Sequence, residues 1–178
     1  AYKAGCKNWI ILGTSGEYGY VTNGPMSPKT KLKPVDTYGK SKVLFYKKLK
    51  KLKIRKKYKI LYIRIFHVYG KEPNSKRLYT GLVRAAKKNL NFKMTLGEEI
   101  RDFVSVDFVV NKIHKSFKLF SKKNFFLVKH IARGKPLKVK DFAMHHWKKQ
   151  KAKKSLLFGN IKTKNLYHTM YSDKTSLL

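Results

Sequence analysis

The chain has 178 residues and carries 43 Lys and Arg against 9 Asp and Glu, which gives a formal net charge of +34. An apolar fraction of 42% with 11 Tyr and 11 Phe excludes a disordered chain, because disordered chains lack the apolar side chains needed to offset chain entropy. Cys6 is the single cysteine, which excludes an intrachain disulfide and a cysteine-built metal site and favours a reducing, cytoplasmic environment. No apolar run is long enough to span a membrane.

The positive charge permits two interpretations. A basic surface releases counterions from a phosphate backbone, so the first is a nucleic-acid-binding protein. The second is a lysine-rich solvated surface, because Lys outnumbers Arg 37 to 6 whereas phosphate and base recognition relies on the bidentate guanidinium. Aromatic residues at helical spacing, Phe45 and Phe117 among them, are expected to pack in the core and not to stack on bases. The charge by itself therefore predicts only non-specific association with nucleic acid.

Hydrophobic periodicity predicts strands that alternate with helices. In chain order we expect a strand over 7–12, a glycine-rich turn over 13–19, a proline-containing loop over 20–37, a helix over 38–57, a strand over 58–66, a helix over 78–88, a strand over 103–106, a helix capped by Asp107, a strand over 125–131 and a helix over 139–149. This alternation predicts an α/β fold with a largely parallel sheet.

The first turn has the glycine spacing of a pyrophosphate-binding loop, with Gly13, Gly16 and Gly19 directly after a strand. Such a loop must open a helix whose N-terminus holds the phosphates. Prolines follow this turn and are incompatible with that helix. We therefore expect a strand-end loop that presents the hydroxyls of Thr14 and Ser15 to a substrate.

Two Tyr-x-x-x-Lys pairs follow in the first predicted helix, and each places both side chains on one helix face. Tyr38 and Lys42 enclose small residues that allow a cofactor to approach the helix closely. Tyr46 and Lys50 lie among further lysines and are predicted to form a solvated face. Tyr38 and Lys42 are therefore the candidate catalytic pair.

Six motifs occur in one order along 7–159. They lie at 14–19 (Thr-Ser-Gly-Glu-Tyr-Gly), 38–42 (Tyr-Gly-Lys-Ser-Lys), 63–70 (Ile-Arg-Ile-Phe-His-Val-Tyr-Gly), 77–78 (Arg-Leu), 97–107 (Gly-Glu-Glu-Ile-Arg-Asp-Phe-Val-Ser-Val-Asp) and 134–142 (Gly-Lys-Pro-Leu-Lys-Val-Lys-Asp-Phe). Together they resemble the extended short-chain dehydrogenase/reductase family of NAD-dependent nucleotide-sugar epimerases and dehydratases. The 13–19 variant is most similar to the branch that acts on CDP- or dTDP-linked deoxysugars in polysaccharide biosynthesis.

The resemblance implies the C-terminal part of a Rossmann-like parallel sheet joined to a small α/β substrate-binding lobe. In that organisation 1–74 is the catalytic part of a truncated Rossmann domain, 75–106 a substrate-lobe insertion, 107–132 the last Rossmann helix and strand, and 133–178 an incomplete C-terminal substrate lobe. The cofactor would be NAD or NADP, with its glycine fingerprint expected in a half that precedes Ala1. The partners implied are a nucleotide-diphosphate sugar and, in the full-length family, a second copy of the chain.

The resemblance also assigns roles. Tyr38 would be the acid/base and Lys42 would stabilise its phenolate form, and both would contact the nicotinamide ribose. Thr14 would donate a hydrogen bond to the reacting sugar oxygen. The substrate contacts would come from Ser15, His67, Arg77 and Arg101. The other five histidines are predicted to be surface or packing residues.

The reaction implied is epimerisation or 4-keto reduction. Relatives that eliminate water place an Asp-Glu pair after the catalytic Thr, and here Ser15 and Gly16 occupy those positions. Two alternatives stay open at this point: a basic nucleic-acid-binding protein, and a catalytically inactive remnant of the family.

Overall fold

The computed structural model describes residues 4–21, 24–51, 58–72, 76–121, 125–162 and 168–178. In chain order the strands and α-helices are β1 (Asn8–Thr14), α1 (Thr37–Lys51), β2 (Lys59–Ile65), β3 (His67–Tyr69), α2 (Leu78–Lys87), β4 (Phe92–Lys93), β5 (Ile100–Arg101), β6 (Phe103–Ser105), α3 (Val106–Ser116), β7 (Phe125–Ile131), β8 (Leu137–Lys138), α4 (Val139–Lys149), β9 (Leu156–Leu157) and β10 (Thr169–Met170). The described residues also include two 3₁₀ helices, Ser15–Tyr18 after β1 and Phe117–Ser121 after α3.

The main sheet has the order β1-β2-β7, and all of its pairs are parallel. Asn8 pairs with Lys59, and Lys59 pairs in turn with Phe125, so the three strands end at the same edge. Residues 60–64 of β2 are all buried, as expected for the central strand of a parallel sheet covered on both faces. The predicted α/β class with a parallel sheet is confirmed.

A second region packs around α2 and α4, which are amphipathic and face each other. Its core contains Leu82, Met94, Ala143 and Trp147. Three small sheets, β10-β5-β8, β3-β6 and β4-β9, accompany these helices, and β4-β9 packs against the core of this second region. These strands of two or three residues pair between distant parts of the chain, so periodicity along the sequence does not reveal them.

The start of α1 lies against the 3₁₀ helix that follows β1. Asp36 accepts a hydrogen bond of 2.6 Å from the backbone N–H of Gly39, which satisfies one of the free donors at the helix start. A Cβ atom at Gly39 would lie 2.8 Å from the carbonyl oxygen of Gly16. Glycine is therefore required at this position for the helix and the turn to approach each other.

The prediction that Tyr46 lies on a solvated face of α1 is wrong, because its side chain is buried. Its ring is buried against Tyr62, with centroids 4.8 Å apart, and it contacts Phe126. Lys50 remains exposed. The reason is that residue 46 lies on the same helix face as Leu49, which also packs on β2. The part of the predicted helix beyond residue 51 lies outside the described residues.

The N-cap of α3 also differs from the prediction. Ser105 has extended backbone angles, and its hydroxyl accepts a hydrogen bond of 3.2 Å from the N–H of Phe108. Asp107 lies in the first turn, where its charge still favours the helix dipole. No helix in the described part of the chain has the length and apolar content needed to cross a membrane.

Candidate functional site

A cavity of about 1090 Å³ opens at the carboxyl ends of β1 and β2. Open parallel sheets bind ligands at this edge, because the loops that leave the strands diverge there. The cavity walls come from the 3₁₀ helix after β1, from α1, β3 and α2, and from the strands around β5 and β10. All seven candidate site residues line it: Thr14, Ser15, Tyr38, Lys42, His67, Arg77 and Arg101.

Tyr38 and Lys42 lie one turn apart at the start of α1. The Lys42 ammonium donates a hydrogen bond of 3.0 Å to the carbonyl oxygen of Leu12 at the end of β1. The same nitrogen lies 5.6 Å from the centroid of the Tyr38 ring. The Tyr38 side chain is 59% exposed, so its hydroxyl is accessible to a ligand in the cavity.

Thr14 ends β1 and caps the 3₁₀ helix that follows. Its hydroxyl oxygen accepts a hydrogen bond of 3.2 Å from the N–H of Gly16, and its own N–H donates to Glu17 at 3.0 Å. A threonine hydroxyl that accepts one bond still has its O–H to donate. Thr14 can therefore donate to an oxygen in the cavity. Ser15 follows it as a buried residue of the cavity wall.

The turn that carries the glycines opens a 3₁₀ helix of 4 residues. A helix this short does not align enough peptide dipoles to form the phosphate-binding N-terminus of a dinucleotide fold. Gly13 is required for another reason. A Cβ atom there would lie 2.4 Å from Glu17 Oε1 and 2.5 Å from the ring of Tyr62.

The 3₁₀ helix after β1 and the strand β2 together form a fully buried ionic group, the Glu17 cluster, which consists of Glu17, Arg64, Tyr62 and Tyr18. Arg64 donates from Nε to Glu17 Oε2 at 2.7 Å, and both side chains are 0% exposed. Tyr62 donates to Glu17 Oε1 at 2.8 Å. The guanidinium also donates to Tyr18 at 2.9 Å. Burial, as the largest cause, raises the pKa of Tyr18 to about 12, so its hydroxyl stays protonated.

The Glu17 cluster continues through a chain of hydrogen bonds to the last described segment. The Tyr18 hydroxyl lies 2.6 Å from Nε2 of His130, and Nδ1 of His130 lies 2.7 Å from the Ser172 hydroxyl. Burial, followed by the charge of Arg64, lowers the pKa of His130 to about 4. A neutral imidazole can accept from Tyr18 and donate to Ser172 at once. These hydrogen bonds therefore link the turn after β1 to the segment 168–178.

A second charged group lines the cavity itself. We call it the Arg101 cluster, and it comprises Arg101, His168, His67 and Tyr20. Nη1 of Arg101 donates to the carbonyl oxygens of Ile100 and His168, each at 3.0 Å. Its Nη2 contacts Nε2 of His168. The His168 ring packs on Tyr20 with centroids 4.1 Å apart.

His67 presents a polar atom without a partner. Its Nδ1 is buried and has no hydrogen bond among the described residues. Burial is the largest cause that lowers the pKa of His67 to about 3, and the charges of Arg101 and His168 add to it. Buried polar atoms are nearly always hydrogen-bonded in proteins. The imidazole of His67 therefore keeps one ring nitrogen whose hydrogen bond is not satisfied among the described residues.

Arg77 lies at the cavity rim, directly before α2. Its Nε is 3.8 Å from a carboxylate oxygen of Glu72, and both side chains are more than half exposed. An exposed pair at this distance contributes little free energy. Arg77 is thus a weaker candidate for a phosphate contact than Arg101, which lies deeper in the cavity wall.

The position of Arg101 is fixed by its neighbour Asp102. The buried carboxylate of Asp102 accepts hydrogen bonds from the N–H groups of Arg133 at 2.7 Å and Gly134 at 2.8 Å. Burial raises the pKa of Asp102, while these backbone bonds oppose the shift. Asp102 therefore ties the strand that carries Arg101 to the turn after β7.

Sequence reasoning missed His168, Tyr20 and the Glu17 cluster. His168 was predicted to be a surface or packing residue, and the structure brings it into contact with Arg101 although 67 positions separate the two. No local pattern signals that contact. For the Glu17 cluster a signal did exist, because an arginine in the middle of an apolar strand requires a buried acidic partner. Within the described part of the chain, no three His, Cys, Asp or Glu side chains are grouped as metal ligands.

Comparison with known proteins gives a match to one family model. The model of the NAD dependent epimerase/dehydratase family matches residues 1–124. Comparison with curated proteins gives no match.

Solved structures with the same fold include three sugar-nucleotide epimerases. A UDP-glucose 4-epimerase of Thermotoga maritima, solved with UDP-glucose, is 20% identical, with a TM-score of 0.81 over 97% of this chain and 57% of that chain. A UDP-N-acetylglucosamine 4-epimerase of Methanobrevibacter ruminantium, in complex with UDP-N-acetylmuramic acid, is 19% identical, with a TM-score of 0.79 over 95% and 55%. A UDP-glucose 4-epimerase of Thermus thermophilus, in complex with NAD, is 18% identical, with a TM-score of 0.77 over 97% and 58%. The chain thus spans between 55% and 58% of the length of these three proteins.

Proposed function

Because the chain belongs to the NAD-dependent epimerase/dehydratase family, we propose that it carries the catalytic and sugar-nucleotide-binding residues of an epimerase or 4-ketoreductase acting on a nucleotide-diphosphate sugar. The observation that carries this proposal is the convergence of Tyr38, Lys42, Thr14 and Arg101 on one cavity at the carboxyl edge of the parallel sheet. In this proposal 1–74 and 107–132 form the catalytic part, and 75–106 and 133–178 form the side that binds the sugar nucleotide.

The cavity residues fit the nicotinamide end of NAD or NADP. Tyr38 exposes its hydroxyl, Lys42 is anchored on the carbonyl of Leu12, and the Leu12 side chain is 43% exposed as an apolar surface beside them. Tyr38 and Lys42 would contact the nicotinamide ribose, and Leu12 would contact the ring. When bound, the nicotinamide supplies a hydride acceptor next to the sugar carbon.

The protein's own groups handle the proton. The Tyr38 phenol, as phenolate, would take the proton of the sugar hydroxyl, and the Lys42 ammonium stabilises that phenolate by its charge. Thr14 would donate its O–H to the same sugar oxygen and orient it. The hydrogen bond from its N–H to Glu17 holds Thr14 in place, so the hydroxyl is pre-positioned.

The sugar nucleotide would be held through its diphosphate by Arg101, because a guanidinium matches phosphate oxygens in charge and geometry. His67 would offer Nδ1, which has no partner among the described residues. Ser15 and Arg77 would add contacts from the two sides of the cavity. In support, the Thermotoga and Methanobrevibacter structures were solved with UDP-linked sugars.

The same geometry favours epimerisation or keto reduction over elimination of water. Ser15 and Gly16 occupy the positions of the acidic pair expected for dehydration, and neither is an acid. Glu17, the next residue in the sequence, is 0% exposed and bonded to Arg64, Tyr62 and the Thr14 N–H. It cannot reach a substrate in the cavity.

The two tyrosines of α1 provide a matched test. In the protein expressed from its complete gene, Tyr38→Phe should lower the rate of NAD reduction with a nucleotide sugar by at least about 100-fold, because the acid/base hydroxyl is removed. Tyr46→Phe removes the same atom from a buried ring and should leave the rate within about twofold.

The proposal has two ways to fail. Equal rate losses in the two variants would contradict the assignment of Tyr38. The absence of hydride transfer with every nucleotide sugar tested, in a protein that binds NAD, would contradict the enzyme assignment.

A further inference from the structure

Arg101 makes no ion pair in the described part of the chain, although the Glu99 carboxylate, which lies beyond ion-pair distance, acts on its charge. Within the described ranges its guanidinium bonds to two carbonyl oxygens and to an imidazole. Burial is the largest cause that lowers the pKa of Arg101, which reflects the cost of a poorly solvated charge. An anion in the cavity would remove this cost.

His168 is oriented towards the same space. Tyr20 packs on one side of its ring, and Nε2 contacts the guanidinium of Arg101. An imidazole has one donor when neutral and two when protonated. A guanidinium can donate to a neutral imidazole but repels a protonated one, whereas one phosphate group has enough oxygens to accept hydrogen bonds from both.

We propose that His168 and Arg101 form one phosphate-binding pair, in which Arg101 supplies a fixed charge and His168 takes up a proton when the diphosphate of the sugar nucleotide binds. This inference rests on the proposed function and adds to it a ligand residue and a linkage between nucleotide binding and protonation. His168 gives up its contact with Arg101 and donates instead to a phosphate oxygen.

The charges around His168 support this direction. In the absence of ligand, burial lowers the pKa of His168, the charge of Arg101 lowers it further, and the charge of Glu99 raises it. Tyr20 and His67 are the other titratable groups of the cluster, and His67 stays neutral because its pKa is about 3. A phosphate placed between Arg101 and His168 would neutralise the first charge and attract a proton to the second. The pKa of His168 would then rise on binding.

The test is calorimetric titration of this chain with UDP-glucose, whose diphosphate diester does not titrate near neutral pH. Affinity is measured at about pH 6 and about pH 8, since this interval brackets an ordinary histidine. At the lower pH the titration is repeated in two buffers with different ionisation enthalpies, which reports the protons taken up. We expect binding to be about tenfold tighter at the lower pH, with uptake of a fraction of one proton.

Three variants separate this role from a structural one. His168→Gln should lose the proton uptake and the pH dependence, with the affinity of the wild type at the higher pH. His168→Lys carries a permanent charge, so it should bind tightly at both pH values without proton uptake. His114→Gln is the matched control, because His114 is exposed on α3 and does not line the cavity. It should behave as the wild type.

The outcomes distinguish this inference from the proposed function. If the wild type binds UDP-glucose and His168→Gln retains its pH dependence and proton uptake, the role of His168 is wrong and the proposed function stands. If the wild type binds UDP-glucose without any proton uptake, the linkage is likewise overturned. If the wild type does not bind UDP-glucose at either pH, the proposed diphosphate site in the cavity fails and this inference fails with it.

Discussion

Two arginines of this protein have opposite surroundings. Arg64 lies in β2 with 0% exposure and is bonded to the Glu17 carboxylate. Its guanidinium carbon lies 4.8 Å from the centroid of the Tyr18 ring and 4.7 Å from that of the Tyr46 ring. Arg101 lies in the cavity wall with no carboxylate within ion-pair distance in the described part of the chain. A charge that already has its partner maintains the fold, whereas a charge without one is available to a ligand. The contrast separates structural from binding residues more clearly than charge density does in a chain of net charge +34.

The largest expected effect is on stability at the Glu17 cluster. Arg64→Met leaves the Glu17 carboxylate buried without its counter-charge, so the free energy of unfolding should fall by about 3–5 kcal/mol. Urea denaturation followed by circular dichroism measures it. The double variant Glu17→Gln/Arg64→Met removes both charges and should recover part of the loss. A loss below about 1 kcal/mol in the single variant would mean that the pair is not buried.

The next effect concerns pH. The pKa of His130 is depressed to about 4 in the folded protein against an ordinary value of 6.5. The contribution of the neutral imidazole to the free energy of unfolding is therefore fully present above pH 6.5. It is lost as the pH falls towards 4, and the loss amounts to at most about 3 kcal/mol. His130→Gln keeps a donor and an acceptor for Tyr18 and Ser172 and should flatten the fall of the melting temperature over this interval. An unchanged pH profile in the variant would contradict the buried position of His130.

The smallest effect on stability is expected at Arg101. Arg101→Met removes a partly desolvated charge that has no ion pair among the described residues, and there it loses bonds to carbonyl oxygens and an imidazole and the longer-range attraction to Glu99. The free energy of unfolding should change by less than about 1 kcal/mol in either direction. The same denaturation experiment measures it. A loss as large as that of Arg64→Met would show that both arginines are structural.

Much of the secondary structure was predictable because the local periodicity of apolar residues indicates it. The strand over 125–131 and the helix over 139–149 were predicted with the bounds that β7 and α4 have. Errors arose where tertiary contacts decide. Phe45 and Phe117 occur at core-like spacing but are 49% and 58% exposed, since helical spacing does not say which face of a helix meets the sheet.

The sequence motifs predicted which residues line the candidate site, but they did not predict the contacts between those residues and distant parts of the chain. The seven residues singled out by their motifs all line one cavity, and their roles stay predictions. His168 could not be found in this way, because its contact with Arg101 joins β5 to a segment 67 positions later. The charged pair of the Glu17 cluster also joins two distant segments, since 47 positions separate Glu17 from Arg64.

The central claim is that particular groups in the cavity, and not the general positive charge, bind the ligand. The most direct test is a paired titration with UDP-glucose and with an oligonucleotide at physiological salt, using the wild type, Arg101→Ala and Arg84→Ala. Arg84 is an exposed residue of α2 that does not line the cavity, so its removal takes away the same charge elsewhere.

Arg101→Ala should weaken UDP-glucose binding by about 1.5–3 kcal/mol, the range for a hydrogen bond to a charged group. Arg84→Ala should leave that affinity nearly unchanged. The two variants should bind the oligonucleotide alike, weakly and with strong salt dependence, because each removes one charge from a large field. Tight oligonucleotide binding without measurable UDP-glucose binding, or equal effects of the two substitutions on UDP-glucose, would contradict the account.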